Sequence, residues 1–200
     1  MAAKTIAFFD FDGTITTADT MFVFFKFAKG KWTYYFYFWL LFPVFVLFKL
    51  KLMPGQTAKE ISLRVLFGGM QRDELQRVGR AFCDQKIDGL VRPKAWEKLL
   101  WHRAEGHEVY IVSASAEEWL RPWTERKGIN LICTGLLYGA DGRFTGRING
   151  KNCNGKEKVC RIEEKINLAE YQTVYAYGDT SGDKDMLAMA TYGEFKPFRT

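Results

Sequence analysis

Ile6 to Thr16 reads IAFFDFDGTIT: an apolar run that breaks abruptly into Asp10 and Asp12, one phenylalanine apart, then turns through Gly13 and Thr14. Asp-Gly after a strand is ordinary turn chemistry when it stands alone. Two carboxylates delivered together by one buried-looking strand ask for more, and the remainder of the chain supplies the context.

Downstream, AKEISLRVLFGGM and RDELQRVGRAF carry apolar residues at helical spacing, Ile61 with Val65 and Leu75 with Val78 and Phe82. Asp73 is the expected N-cap of the second of these helices. Met21 to Leu90 thus reads as helical throughout, with no strand signal. The pattern then changes. A helix through Trp96, Leu99 and Leu100 ends near Gly106, and HEVYIVSAS follows as a short apolar run, the mark of a strand covered on both faces. Ser115 with Glu118 has capping-box spacing and is expected to open the next helix. A strand from Asn130 to Thr134, a hairpin turning at Asp141-Gly142, a helix from Lys156 to Ile166 and the strand TVYAYGD complete the chain. Strands alternating with helices imply an α/β fold with a parallel sheet and right-handed crossovers. Ligands of such sheets bind at the strand C-termini. Three of those ends carry chemistry: Asp10 with Asp12, then Ser113, then Asp179 followed by Asp183 in GDTSGDKDML. A turn-only explanation would have to hold independently at all three.

Composition narrows the function. Two hundred residues, nearly half of them apolar, suffice for one core plus a smaller inserted module. Cys83, Cys133, Cys153 and Cys160 show no CxxC spacing, and His102 and His107 stand in no metal-site pattern, which argues against zinc or a disulfide framework and for a reducing cytoplasm. Met1 to Lys4 leads straight into the first strand, so no export signal is expected. The net charge of +6 is local: Thr20 to Lys59 holds six lysines and no Asp or Glu, and the charges elsewhere cancel. No basic groove motif points to nucleic acid. Inside that window lies KWTYYFYFWLLFPVFVLFKLKLM, whose unbroken apolar core, Tyr34 to Phe48, is fifteen residues long and contains Pro43. A spanning helix needs about 20 residues, which disfavours a simple transmembrane segment. Two readings remain, a hydrophobic helical hairpin packed within the protein or an element resting in a membrane interface. The second is favoured, because Trp32, Tyr34, Tyr35, Tyr37 and Trp39 carry polar handles suited to headgroups and the flanking lysines suit anionic lipid.

With DFDGTIT, Ser113 in YIVSAS, a lysine in NCNGKEKV and GDTSGDKD in order, the chain resembles the haloacid dehalogenase superfamily, in the branch similar to phosphoserine phosphatase (subfamily IB). The resemblance covers nearly the whole length. It implies a Rossmann-like parallel-sheet core, residues 1–18 and 92–200, with an inserted α-helical cap of the C1 type at 19–91 that contains the aromatic segment 32–52. It further implies a Mg²⁺-dependent phosphomonoester hydrolase working through an aspartyl-phosphate. Asp10 would be the nucleophile and Asp12 the general acid and base. Asp10, the backbone carbonyl of Asp12 and Asp179 would hold Mg²⁺, a hard cation that takes oxygen ligands, with Asp183 binding through water or orienting a ligand. Ser113, Ala114 and the amides of Gly13 and Thr14 would hold phosphoryl oxygens, and a lysine would balance their charge. The pattern Cys-x-Gly-x-x-Lys matches Cys153, Gly155 and Lys158 and favours Lys158, with Lys156 the alternative.

Asp19 stands nine residues beyond Asp10, where phosphoserine phosphatases use a Glu to read the substrate amine, so the shorter acid departs from that pattern. The lysine-flanked aromatic segment is similar, in hydrophobic character and position, to that of phosphatidylglycerophosphatase C. The expected substrate is therefore a lipid-linked phosphate such as phosphatidylglycerophosphate, met peripherally on the inner face of the cytoplasmic membrane. A small soluble phosphomonoester, phosphoserine-like or a sugar phosphate, is the alternative. A catalytically inactive membrane-associated interaction protein would be expected to lack Asp10, Asp12 or Asp179, and all three are present.

Overall fold

Thr5–Phe9 forms strand β1, and every side chain from Ile6 onward is buried. Such a run fits only a strand with both faces covered and neighbours on both edges. β1 pairs in parallel with β2 (Glu108–Ala116) on one edge and β5 (Thr173–Gly178) on the other. The computed structural model describes residues 4–199, so the leader-free start expected at Met1 to Ala3 lies outside the described residues. The sheet runs β4-β3-β2-β1-β5-β6, with β3 at Asn130–Tyr138, β4 at Phe144–Asn149 and β6 at Tyr192–Phe195. All neighbours are parallel except β3 and β4, which form the hairpin expected at Asp141-Gly142.

Alternation along β1 sorts the two layers. Ala7 and Phe9 face a core that includes Leu99 of α5 (Pro93–Ala104) and Trp119, Leu120 and Trp123 of α6 (Glu117–Lys127). Ile6 and Phe8 face the opposite one, with Ile162 of α7 (Lys156–Lys165) and Met186 of α8 (Lys184–Met189). The result is a Rossmann-like α/β core with a helical cap.

Ahead of α5, four helices follow β1 in the chain and form the insertion: α1 (Thr20–Lys29), α2 (Lys31–Lys49), α3 (Gly55–Phe67) and α4 (Arg72–Phe82). They are fastened to the sheet layer by aromatic packing. Phe24 of α1 stacks on Trp119 of α6 at 4.6 Å and meets Phe67 and Phe82, each at 5.4 Å. α4 presses on α6 at Gly79, where an added Cβ would stand 2.0 Å from the Glu118 carbonyl oxygen. Glycine is required there by proximity, not by backbone angle.

Several local expectations differ from the structure. α2 is one continuous helix through Pro43, not a hairpin; Pro43 sits on the exposed side, and only Leu41 is buried along its length. Gln71 occupies the N-cap position of α4 without a side-chain capping hydrogen bond, and Asp73 falls in the first turn. β2 continues through Ala116, so α6 opens at Glu117 and Ser115 is a strand residue. β3 runs on to Tyr138 because its last residues find a partner in β4. β6, short and exposed at all four residues, had no period to read. His102 is buried on α5 and shares hydrogen bonds with His107 and the Tyr177 hydroxyl, which gives the two histidines a structural setting.

Because the α4–α6 contact leaves no room for a side chain, Gly79→Ala is expected to destabilise the protein by about 1–3 kcal/mol, the usual cost of overpacking. Thermal unfolding reads this as a melting temperature several degrees lower. An unchanged melting temperature would contradict the close approach.

Candidate active site

The turn after β1 is shaped around carboxylates. Asp10 is anchored by its N–H, which donates to the Tyr177 carbonyl at 2.9 Å. Gly13 then takes φ 83°, and a Cβ on it would lie 2.5 Å from Asp179 Oδ2. Both the left-handed backbone and the proximity of Asp179 exclude a side chain. The Asp-Gly turn thus serves to bring strand ends together. Thr14 Oγ1 lies within hydrogen-bond distance of Asp10 Oδ2 (2.9 Å) and Asp179 Oδ1 (3.1 Å).

Asp10, Asp179 and Asp183 are all buried, and each offers an oxygen within 4.8 Å of the others. Gly155, at φ 61°, turns the chain into α7 and places Lys158 in its first turn. The Lys158 ammonium donates to Asp10 Oδ1 at 2.6 Å, Asp183 Oδ1 at 2.7 Å and the Val112 carbonyl at 2.8 Å. All three of its protons are used, and its side chain is 1 % exposed. Lys156 is exposed to solvent two positions earlier on the same helix. Asp183 Oδ2 accepts from the amides of Asp179 and Thr180 and from the Thr180 hydroxyl, so this carboxylate also ties its own loop. The Arg199 guanidinium forms an ion pair with Asp179.

Burial pushes the Asp10 carboxyl up to about 7, with Asp183 and Asp12 adding to the rise and Lys158 opposing it. Burial also acts to raise Asp183, but the Lys158 charge and hydrogen bonds from Lys158 and Thr180 outweigh it and hold the group low. Lys158 is desolvated too, yet its two carboxylate partners raise its pKa above that of a free lysine. Among the described residues Lys158 pairs with Asp10 and Asp183, and Arg199 with Asp179, so two cations face these three carboxylates. Their all-oxygen, buried donor set is the kind that suits a small hard divalent cation.

Asp12 is fixed differently. Its Oδ1 accepts from the Thr20 amide (2.7 Å) and hydroxyl (2.6 Å), and its Oδ2 from Ser115 Oγ (2.6 Å) and Ser113 Oγ (3.3 Å). The first residue of α1 therefore holds a core carboxylate directly. Asp19 caps α1 by accepting from the Met21 amide at 2.9 Å, and desolvation together with the Asp12 charge raises it to about 6. Ala114 contributes its carbonyl, which accepts from Lys59 of α3. Lys59 also donates to Asn152 Oδ1 at 2.8 Å, and desolvation lowers it to about 8 against the pull of Asp12 and Asp19.

These groups line a cleft of about 720 Å³ between the core and the inserted helices. Asp10, Asp12, Gly13, Ala114, Asp179 and Asp183 line it from the sheet side, and Asp19, Met21, Phe22, Phe45, Phe48 and Lys59 from the helical insertion. Ser113 and Lys158 sit beneath, fully buried. Sequence reasoning did not find Thr20, Lys59, Ser115 as an Asp12 partner, Asn152 or Arg199. None belongs to a spaced motif, and only the fold makes them neighbours.

Carboxylates crowded at the C-terminal edge of a parallel sheet, roofed by inserted helices, are the arrangement of an aspartate-based α/β hydrolase. Comparison with known proteins carries this further: the model for haloacid dehalogenase-like hydrolases matches residues 7–188, and the chain belongs to that family. Protein CicA of Caulobacter vibrioides is 34 % identical over 193 residues, covering 96 % of this chain and 85 % of that protein. A phosphoserine phosphatase of Mycobacterium tuberculosis is 24 % identical over 193 residues, covering 92 % of this chain and 61 % of that one. A crystal structure of a Bordetella pertussis protein of unknown function superposes with a TM-score of 0.82 at 23 % identity, over 95 % of this chain and 88 % of that chain, a likeness of fold. The protein is a phosphatase of this family, resembling phosphoserine phosphatase.

The geometry ranks the two candidate lysines. Lys158→Met is expected to lower kcat/KM for phosphate release by about 10²-fold or more, the scale seen when one aimed donor is removed from a preorganised site. Lys156→Met should stay within about threefold, since an exposed charge is screened. Steady-state phosphate release, on variants with unchanged circular dichroism, checks the order. The reverse order would move the role to Lys156.

Proposed function

We propose that the chain hydrolyses a lipid-linked phosphomonoester, such as phosphatidylglycerophosphate, by way of an aspartyl-phosphate on Asp10. The observation that carries the choice of substrate class is the make-up of the cleft, in which Phe22, Phe45 and Phe48 line the same cavity as Asp10 and Asp12. A phosphate at the carboxylates with an apolar chain against these rings would satisfy both linings. The similarity of the aromatic segment to phosphatidylglycerophosphatase C in character and position supports the same class. On this reading 19–91 is the substrate-facing cap, and 1–18 with 92–200 is the catalytic core. A bilayer-resident substrate goes with a cytoplasmic enzyme working peripherally on the inner face of the membrane.

In the proposed chemistry an Asp10 oxygen attacks phosphorus and the bond to the leaving oxygen breaks, with Asp12 supplying its proton. Asp12 then takes a proton from water as that water attacks the phosphoryl group. The bond between phosphorus and the Asp10 oxygen breaks, releasing inorganic phosphate and restoring the carboxylate. The four donors on Asp12 fix its position for both transfers. Ser113 and the backbone from Gly13 to Thr14 and at Ala114 would hold phosphoryl oxygens, and Lys158 would offset their charge. Asp10, Asp179 and Asp183, with the Asp12 carbonyl, would hold Mg²⁺, which when bound neutralises charge on the phosphoryl group and on the carboxylates around it.

A small soluble phosphomonoester is the second reading, favoured by Lys59 and Asp19. They place one positive and one negative group at the cleft, as a zwitterionic substrate would need. Assay of the purified protein with Mg²⁺ against phosphatidylglycerophosphate in mixed micelles, phosphoserine and a sugar phosphate separates the two. The lipid is expected to show kcat/KM at least about tenfold above the soluble esters, and chelation should abolish release from all of them. A preference for a soluble ester would transfer the assignment to that class, and no release from any ester would favour the inactive interaction protein.

A further inference from the structure

The cleft leaves one part of the insertion unexplained, the side of α2 that faces away from it. Around this helix Tyr34, Tyr37, Phe38, Leu41 and Phe45 turn toward α1 and α3, where they close a small apolar crevice with Phe22, Phe25 and Leu66. The opposite arc is different. Trp32, Phe36, Trp39, Leu40, Leu47 and Leu50 are exposed by 83, 66, 70, 57, 38 and 62 %. Their spacing of four, three, one, seven and three residues lies along one helical stripe, with exposed Pro43 within it. No charged side chain interrupts α2 between Lys31 and Lys49. A soluble monomer rarely leaves so continuous an apolar face without an occupant.

We propose that this outer face of α2 is a docking surface for an anionic bilayer, on which the helix lies in the plane of the leaflet. Charge complementarity chooses the occupant. Exposed Lys26 and Lys31 stand at one end of the stripe and exposed Lys49 and Lys51 at the other, and no acidic residue occurs from Thr20 to Lys59 to oppose an anionic surface. Lysines at the ends and tryptophans on the face are what an interfacial helix needs, because cations meet headgroup phosphates while indoles settle at the hydrocarbon boundary. At about 1.5 Å per residue the helix is long enough to cross a bilayer. Its inner arc forbids this. That arc is packed on α1 and α3, and α3 carries Gln56 and Lys59 toward the polar cleft, so a crossing would drag hydrogen-bonded polar groups into hydrocarbon.

The surface extends the lipid-phosphate assignment without depending on it, because docking is measured with no substrate present. Co-sedimentation with phosphatidylglycerol–phosphatidylcholine vesicles should retain most of the protein, and pure phosphatidylcholine vesicles several-fold less. Raising salt from about 0.1 to 0.5 M should release part of the bound fraction, since only the lysine contribution is screened. The triple variant Trp32→Ser, Phe36→Ser, Trp39→Ser changes only exposed side chains. It should bind phosphatidylglycerol vesicles at least tenfold more weakly, while keeping wild-type thermal stability and wild-type turnover of a soluble generic phosphomonoester. Three results would overturn the proposal: equal binding by the triple variant, a wild-type dimer in sedimentation equilibrium that dissociates on the triple change and ignores vesicles, or vesicle-bound protein that resists extraction by high salt and alkaline carbonate as a spanning helix would. Vesicle binding without lipid-phosphate hydrolysis would leave the docking surface standing and remove the substrate assignment alone.

Discussion

Three buried carboxylates held within 4.8 Å of one another repel, and the rest of the site is organised by how that repulsion is met. Lys158 supplies the one ammonium at the centre and spends all its protons there, two on Asp10 and Asp183 and one on the Val112 carbonyl of β2. Removing either side of such a buried pair typically costs about 3–5 kcal/mol, because the remaining charge is left without a partner. Asp10 nonetheless rises to about 7, because its burial outweighs the pull of the Lys158 charge. The buried, oxygen-only donor set is of the kind that suits a small hard divalent cation.

The same cluster sets local structure far along the chain. Gly13 is small because Asp179 fills the space its side chain would take, and Gly178 is small because Asp183 does, since a Cβ added there would stand 2.4 Å from Asp183 Cβ. Asp12 is clasped by Thr20, which couples the first helix of the insertion to the catalytic turn. Any movement of α1 relative to the sheet would pull on that carboxylate.

Much of the sheet was legible because burial leaves a period: IAFFD, HEVYIVSAS and TVYAYGD could be read as strands, and Asp10, Asp12, Ser113, Asp179 and Asp183 as their chemical ends, whereas Lys158 came only from the family resemblance, with Lys156 as the alternative. In the structure Asp10, Asp179 and Asp183 cluster with Lys158 against two of them, and Ser113 lies within hydrogen-bond distance of Asp12. What could not be read was settled by tertiary neighbours. Ser115 looked like a helix cap, and the fold instead points its hydroxyl at Asp12. The aromatic segment allowed a hairpin, since proline usually breaks a helix, but Pro43 lies on the exposed arc and α2 continues through it. Lys59 and Arg199 belong to no local pattern, and reach the cleft from α3 and from the chain beyond β6. α2 itself has two apolar sides, and only the structure tells the packed one from the exposed one.

The central claim is that Asp10 carries the phosphoryl group during turnover. It is tested most directly by acid quench of the enzyme mixed with Mg²⁺ and a good phosphomonoester substrate, followed by peptide mass mapping. A single phosphoryl group on the peptide containing Asp10, lost on mild alkaline treatment and absent from Asp10→Asn, is the predicted result. Turnover with no covalent phosphoryl at residue 10, and persisting in Asp10→Asn at the wild-type rate, would contradict the account.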